Sequence, residues 1–170
     1  MSATAPISPL VRTAIIVTNL ERSMAFYRDV LGIPEVYHQG LLTDDSVSRL
    51  LGMPSGTQTR YAIVKGAGPA LGMVGLFEIG NHTPPALDHP TAGLSRGETC
   101  LVFYHANLAE LTQKLKAGGH RIVCPAVPLK ISDDYTSSEM TFRDPDGVMI
   151  NCIEKDPGTV WNEAQFGVSR

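Results

Sequence analysis

The chain has 170 residues, 43% hydrophobic and 18% charged, an ordinary globular balance that argues against disorder and allows a buried core. A formal net charge of −3 with no Lys/Arg cluster argues against a nucleic-acid partner. Apolar runs such as Ala14–Val17 and Leu101–Tyr104 are far too short to span a bilayer.

In chain order, residues 1–10 read as an N-terminal extension without the charged and apolar regions of a signal peptide. Residues 11–18, rich in β-branched side chains, predict a strand. Asn19 is a natural N-cap for a helix whose Leu20, Met24, Tyr27 and Leu31 recur at helical spacing, with Gly32 and Pro34 as the stop. Strands are expected at 33–39, 59–65 and 71–79, with a short helix capped by Thr43 or Asp44 and ending at Leu51. Residues 80–97 hold three prolines, two histidines and three glycines, and read as a linker.

The pattern then restarts. A strand over 98–105, N-cap Asn107 and a helix with Leu108, Leu111 and Leu115 on one face lead to Gly118-Gly119. Strands at 121–124, 137–142 and 148–154 complete the half, the last two joined by the turn Asp144-Pro145-Asp146-Gly147. Each half is strand–helix–strand–strand–strand, so the fold class is α+β with tandem βαβββ modules at 11–79 and 98–154. Residues 155–170 form a tail carrying the sole tryptophan, Trp161, expected to cover a face or a partner. Three cysteines without a Cys-x-x-Cys pair argue against a disulfide framework or zinc ribbon, and a cytoplasmic protein is expected.

Leu20-Glu21-Arg22-Ser23-Met24-Ala25-Phe26-Tyr27-Arg28-Asp29-Val30-Leu31-Gly32 resembles the first-helix signature of the vicinal oxygen chelate superfamily. That group includes glyoxalase I, bleomycin-resistance proteins, extradiol dioxygenases and methylmalonyl-CoA epimerase. Arg143-Asp144-Pro145-Asp146-Gly147 before an apolar strand resembles its last hairpin, and the match covers both modules. The resemblance implies a curled mixed sheet around a cup-shaped cavity that holds the ligand, and a homodimer.

Metal-dependent members place four His, Gln or Glu ligands on the first and last strands of the two modules. By the resemblance these positions fall on Arg12, Glu78, Cys100 (Thr99 one register away) and Asn151. Only Glu78 is a ligand of the expected kind, and a guanidinium cannot coordinate a cation. No cofactor is therefore expected. Arg12 and Glu78 are instead expected to pair across the cup floor, either as a structural replacement for the metal or with Arg12 and Asn151 binding a ligand carboxylate, enolate or carbonyl.

Strand alternation sets Cys100, Val102 and Tyr104 on one face and His105 on the other, toward the helix. Tyr104 is expected to project into the cup as a hydrogen-bond donor or stacking surface, and Tyr61 likewise. Val74, Leu76, Val102 and Met149 are expected to make its walls apolar. Cys100 lacks an identifiable base and is expected to be buried and inert. His82 and His89, with Asp88, fall in the linker, where solvent exposure is the default.

The reading that follows is a glyoxalase/bleomycin-resistance-like protein that binds a small, largely apolar organic molecule without the usual divalent metal. The ligand-binding candidates are Arg12, Glu78, Cys100, Tyr104 and Asn151. One alternative is a metal-dependent lyase, isomerase or dioxygenase with a shifted ligand set. Another is a non-catalytic partner-binding subunit.

Overall fold

The structure, a computed structural model, describes residues 7–80, 84–87, 95–133 and 135–160. The chain divides into two compact units, one ending at Pro84 and the other beginning at Pro85. Trp161, His82, His89 and Asp88 lie outside the described residues. Among the described residues no helix is long and apolar enough to cross a membrane.

In the first unit β1 (Arg12–Val17) leads into α1 (Leu20–Ala25), which continues as a single π-helical stretch, Phe26–Val30. Asn19 caps α1 by accepting from the Arg22 amide at 2.8 Å. β2 (Glu35–Leu42), α2 (Asp45–Leu50), β3 (Thr59–Lys65) and β4 (Met73–Ile79) follow, and Asp44 is the residue that caps α2. The sheet order is β1-β4-β3-β2, with β1 and β4 parallel and the other pairs antiparallel.

The second unit repeats this plan with β5 (Cys100–His105), α3 (Leu108–Ala117), β6 (Ile122–Ser132), β7 (Tyr135–Arg143) and β8 (Met149–Glu154) in the order β5-β8-β7-β6. A short α4 (Pro157–Val160) follows. The fold is thus α+β, two modules each built on a four-stranded mixed sheet. Strand β6 runs eight residues beyond the expected end at Cys124. It sits at the sheet edge, where Pro125 and Pro128 are tolerated, and its pairing with β7 absorbs three register shifts.

Each sheet buries one face under its helix. In the first module Ile15, Val17, Ala62, Val64, Val74 and Leu76 are buried on that side. In the second, Leu101, Met140, Phe142, Ile150 and Cys152 pack with Leu108, Leu111 and Leu115 of α3. The hairpins are held by equivalent cations. Lys65 Nζ donates to the Gly66 and Gly68 carbonyls at 3.2 and 2.9 Å. Arg143 Nη1 donates to the Gly147 carbonyl at 2.6 Å and pairs with Glu98 at 2.5 Å, both side chains nearly sealed from solvent.

Candidate functional site

Because strand side chains alternate, the face turned away from each helix is fixed by register. In the first module it carries Arg12, Ala14 and Ile16 of β1, Gly75 and Phe77 of β4, and Tyr61 of β3 opposite Phe77. Phe77, Tyr61 and His38 form a row of near-parallel rings. The Phe77–Tyr61 centroids are 6.0 Å apart at 16°, and the Tyr61–His38 centroids 5.6 Å apart at 8°. Two glycines make room for these rings. A Cβ on Gly75 would stand 2.8 Å from Phe77 Cε2, and one on Gly40 would stand 3.4 Å from Tyr61 Cε1. Tyr61 Oη and His38 Nδ1 share a 2.5 Å hydrogen bond. With the phenol donating, the remaining imidazole proton sits on Nε2.

Arg12 stands exposed at the Gly75 end of this row, its Cδ 3.7 Å from where a Gly75 Cβ would be. Among the described residues no carboxylate forms an ion pair with it. The expected Arg12–Glu78 pair does not form. In the parallel β1/β4 ladder Arg12 lies beside Met73 whereas Glu78 lies beside Val17, five residues farther along. At about 3.3 Å per residue that is roughly 16 Å, and the two side chains leave opposite faces of the sheet.

Glu78 faces the helix. Its Oε2 accepts the Leu20 amide at 2.6 Å, and its Oε1 takes Arg60 Nη1 at 3.2 Å. Arg60 is shared with Glu21, whose carboxyl it holds below the usual carboxylate range, chiefly through the hydrogen bond. Val74 and Leu76, expected as walls of a ligand site, are likewise buried on the helix side.

In the second module the helix-free face carries Cys100, Val102 and Tyr104 of β5, Asn151 of β8, and Thr141 and Glu139 of β7. Val102 is 59% and Tyr104 43% exposed. Lys155 Nζ lies 5.2 Å from the centre of the Tyr104 ring, a cation–π contact. Asn151 Nδ2 donates to Thr141 Oγ1 at 3.4 Å, and Ser137 Oγ donates to Glu139 Oε1 at 2.6 Å. Cys100 is exposed rather than buried. Its thiol is raised from the ordinary range, first by partial desolvation and further by Glu98, against the lowering effects of the Asn151 backbone and Arg143. His105 turns toward the helix as its strand position requires and accepts the Asn107 amide on Nδ1 at 3.1 Å; burial, then Lys114, pulls its pKa down.

The structure therefore puts Arg12 on one module's helix-free face, Cys100, Tyr104 and Asn151 on the other's, and Glu78 on neither. His38, Phe77 and Glu139 are additions that sequence reasoning did not single out as site residues. The donor set does not fit the superfamily's divalent metal: one of its four positions is a cation, and the one carboxylate is spent at a helix end. Among the described residues no three His, Cys, Asp or Glu side chains come together as metal ligands.

Two clefts lie in the first module, and the larger shares Gly40 and Tyr61 with the aromatic row. One of about 400 Å³ between α1 and the β2–β3 edge is lined by Leu20, Met24 and Gly40, with Glu21 and Arg60 satisfying each other at its side. Another of about 300 Å³ lies at Asp45, Arg49 and Ser55. There the Asp45 oxygens already accept from Ser55 Oγ and the Gly56 amide.

Among curated protein sequences none matches the chain. Solved structures do match. A glyoxalase family protein from Bacillus cereus superposes with a TM-score of 0.72 at 16% identity, over 91% of this chain and 98% of that one. The trypanothione-dependent glyoxalase I of Leishmania major gives a TM-score of 0.57 at 18% identity, over 94% of both chains. A glyoxalase I variant from Zea mays gives 0.62 at 17% identity, over 86% of this chain and 44% of that longer one. At such identities these likenesses establish the fold alone. The model of the glyoxalase/bleomycin resistance protein/dioxygenase superfamily matches residues 10–152, most of the chain. The match takes in both βαβββ modules but for the last two residues of β8, and the chain belongs to this superfamily.

Proposed function

We propose that this chain binds a small, largely apolar organic molecule bearing an acidic or carbonyl oxygen, and does so without the divalent metal of its metal-dependent relatives. The observation that carries the reading is Arg12, an exposed guanidinium with no acidic partner among the described residues, beside the aromatic face of the first sheet. A cation in that setting offers a ligand anion charge-assisted hydrogen bonds, and the rings offer apolar area. Tyr104 and Asn151 supply the same pairing of ring and polar group on the second sheet. Cys100 borders them without a base to activate it.

Metal analysis of protein purified without chelators tests the first half of the proposal. Less than stoichiometric metal, and a melting temperature unmoved by EDTA, is the expected result. Zinc, nickel, manganese or iron that survives dialysis at one per chain would overturn it in favour of a metal-dependent lyase, isomerase or dioxygenase. Thermal-shift screening against hydrophobic acids and ketones tests the second half, because a ligand that binds only the folded chain raises its melting point by mass action. No shift from any compound would favour a partner-binding subunit.

A homodimer is part of the proposal. The edge strand β6 supports it by exposing Val127, Leu129 and Ile131 at 41%, 44% and 57%. Light scattering on the eluted peak is the check, and a single-chain mass would refute this part.

A further inference from the structure

Resting on that reading, we infer that the ligand's acceptor site is the Arg12–Phe77–Tyr61–His38 face of the first sheet, and that its ligand is a planar aromatic acid rather than an aliphatic one. Four features converge on this chemistry. Gly75 lets the Phe77 ring and the Arg12 stem close over the β4 backbone side by side, since a Cβ there would meet Phe77 Cε2 at 2.8 Å and Arg12 Cδ at 3.7 Å. Phe77 and Tyr61 hold their planes within 16° of each other, and Tyr61 and His38 within 8°, so the row offers a fourth aromatic ring a consistent orientation for stacking. Arg12 ends the row as a planar, permanently charged fork suited to a carboxylate or enolate. At the other end Tyr61 Oη and His38 Nδ1 share a 2.5 Å hydrogen bond, and in the tautomer in which Nδ1 accepts from the phenol, Nε2–H is a donor for a second oxygen on the far side of the ligand ring.

Each residue has a separate part. Arg12 selects charge, Phe77 and Tyr61 select flatness, and His38 favours an acceptor distal to the acid. A flexible aliphatic acid of equal charge satisfies only the first requirement. A neutral aromatic satisfies only the second.

Isothermal titration calorimetry with three probes separates these parts: 2-naphthoate, its neutral amide 2-naphthamide, and decahydro-2-naphthoate, which keeps the charge and bulk but not the plane. 2-Naphthoate is expected to bind at least about tenfold more tightly than either of the others. Arg12→Met is expected to weaken 2-naphthoate by about 10- to 100-fold while leaving 2-naphthamide unchanged. Phe77→Leu is expected to weaken both aromatic probes and leave decahydro-2-naphthoate unchanged. Arg12→Lys retains charge and checks that any loss in Arg12→Met is not a folding defect. Equal binding of decahydro-2-naphthoate overturns the aromatic assignment while the small-molecule reading stands. Equal binding of 2-naphthamide overturns the role of Arg12. Binding of none of the three at millimolar concentration overturns both readings.

Discussion

Glu78 and Glu154 hold the same place in the two modules. Each lies near the end of the last strand and accepts the first amide of its module's helix, Leu20 N at 2.6 Å and Leu108 N at 3.0 Å. The helix N-terminus carries unsatisfied amides and a partial positive charge, and a carboxylate delivered from the neighbouring strand answers both. Glu78 is therefore part of the scaffold in the first module, as Glu154 is in the second.

Replacing Glu78 or Glu154 by Ala is expected to cost about 1–2 kcal/mol in each case, the usual range for losing a helix cap with charge. Arg60 adds little to the Glu78 figure, because its side chain is 44% exposed and solvent screens the pair. Urea denaturation measures the loss. Ligand affinity in Glu78→Ala is expected to stay at the parent value; an affinity loss at unchanged stability would return Glu78 to the binding site.

Arg143–Glu98, 4% and 9% exposed, is a buried arginine–carboxylate pair among the described residues. Glu98→Ala leaves a buried guanidinium without its carboxylate, although the Gly147 carbonyl still accepts from it, so a loss of about 3–5 kcal/mol is expected. Glu98→Leu combined with Arg143→Met removes both charges and is expected to recover much of that loss. Equal destabilisation by the single and double variants would show that lost packing, not the stranded charge, sets the cost.

Strand and helix identity within the two modules was legible because the local signals agreed: Asn19 and Asn107 as caps, helical apolar spacing behind each, and glycine stops. What failed was parity on β4. Choosing Glu78 for the ligand side turned Val74 and Leu76 with it, and a strand with period two reverses every residue when the choice is wrong by one. The repeat itself held the correction. Asn151 stands three residues before Glu154, and its counterpart three before Glu78 is Gly75, which carries no ligand atom to attract notice. His38 was hidden for another reason. β2 has a register shift between Val36 and His38, so its facing could not be counted from the strand start. The extended β6 was hidden by two prolines that only an edge position permits.

Cys152 gives the chain a pH signature. Burial raises its thiol from 9.0 to about 12, so the folded state keeps a proton that the unfolded state releases. Stability conferred by this group is present below pH 9 and declines as pH rises toward 12, with a slope of about 1.4 kcal/mol per pH unit. Cys152→Ala lowers stability at every pH by opening a cavity, but it is expected to flatten the decline between pH 9 and 11 relative to the parent. Parallel slopes for the two proteins would mean the thiol ionises as readily folded as unfolded.

Gly75→Ala tests the aromatic face without touching a charge. The new Cβ would lie 2.8 Å from Phe77 Cε2, so the ring must swing off the β4 backbone. Phe77 is only half-buried and has room to move, which holds the expected stability change within about 1 kcal/mol of the parent. The displaced ring no longer lies beside the Arg12 stem or in line with Tyr61. Affinity for 2-naphthoate is therefore expected to fall about tenfold, close to the effect of Phe77→Leu, while decahydro-2-naphthoate is unaffected. Unchanged 2-naphthoate binding in a protein of normal stability would show that the position of Phe77 over Gly75 does not govern recognition.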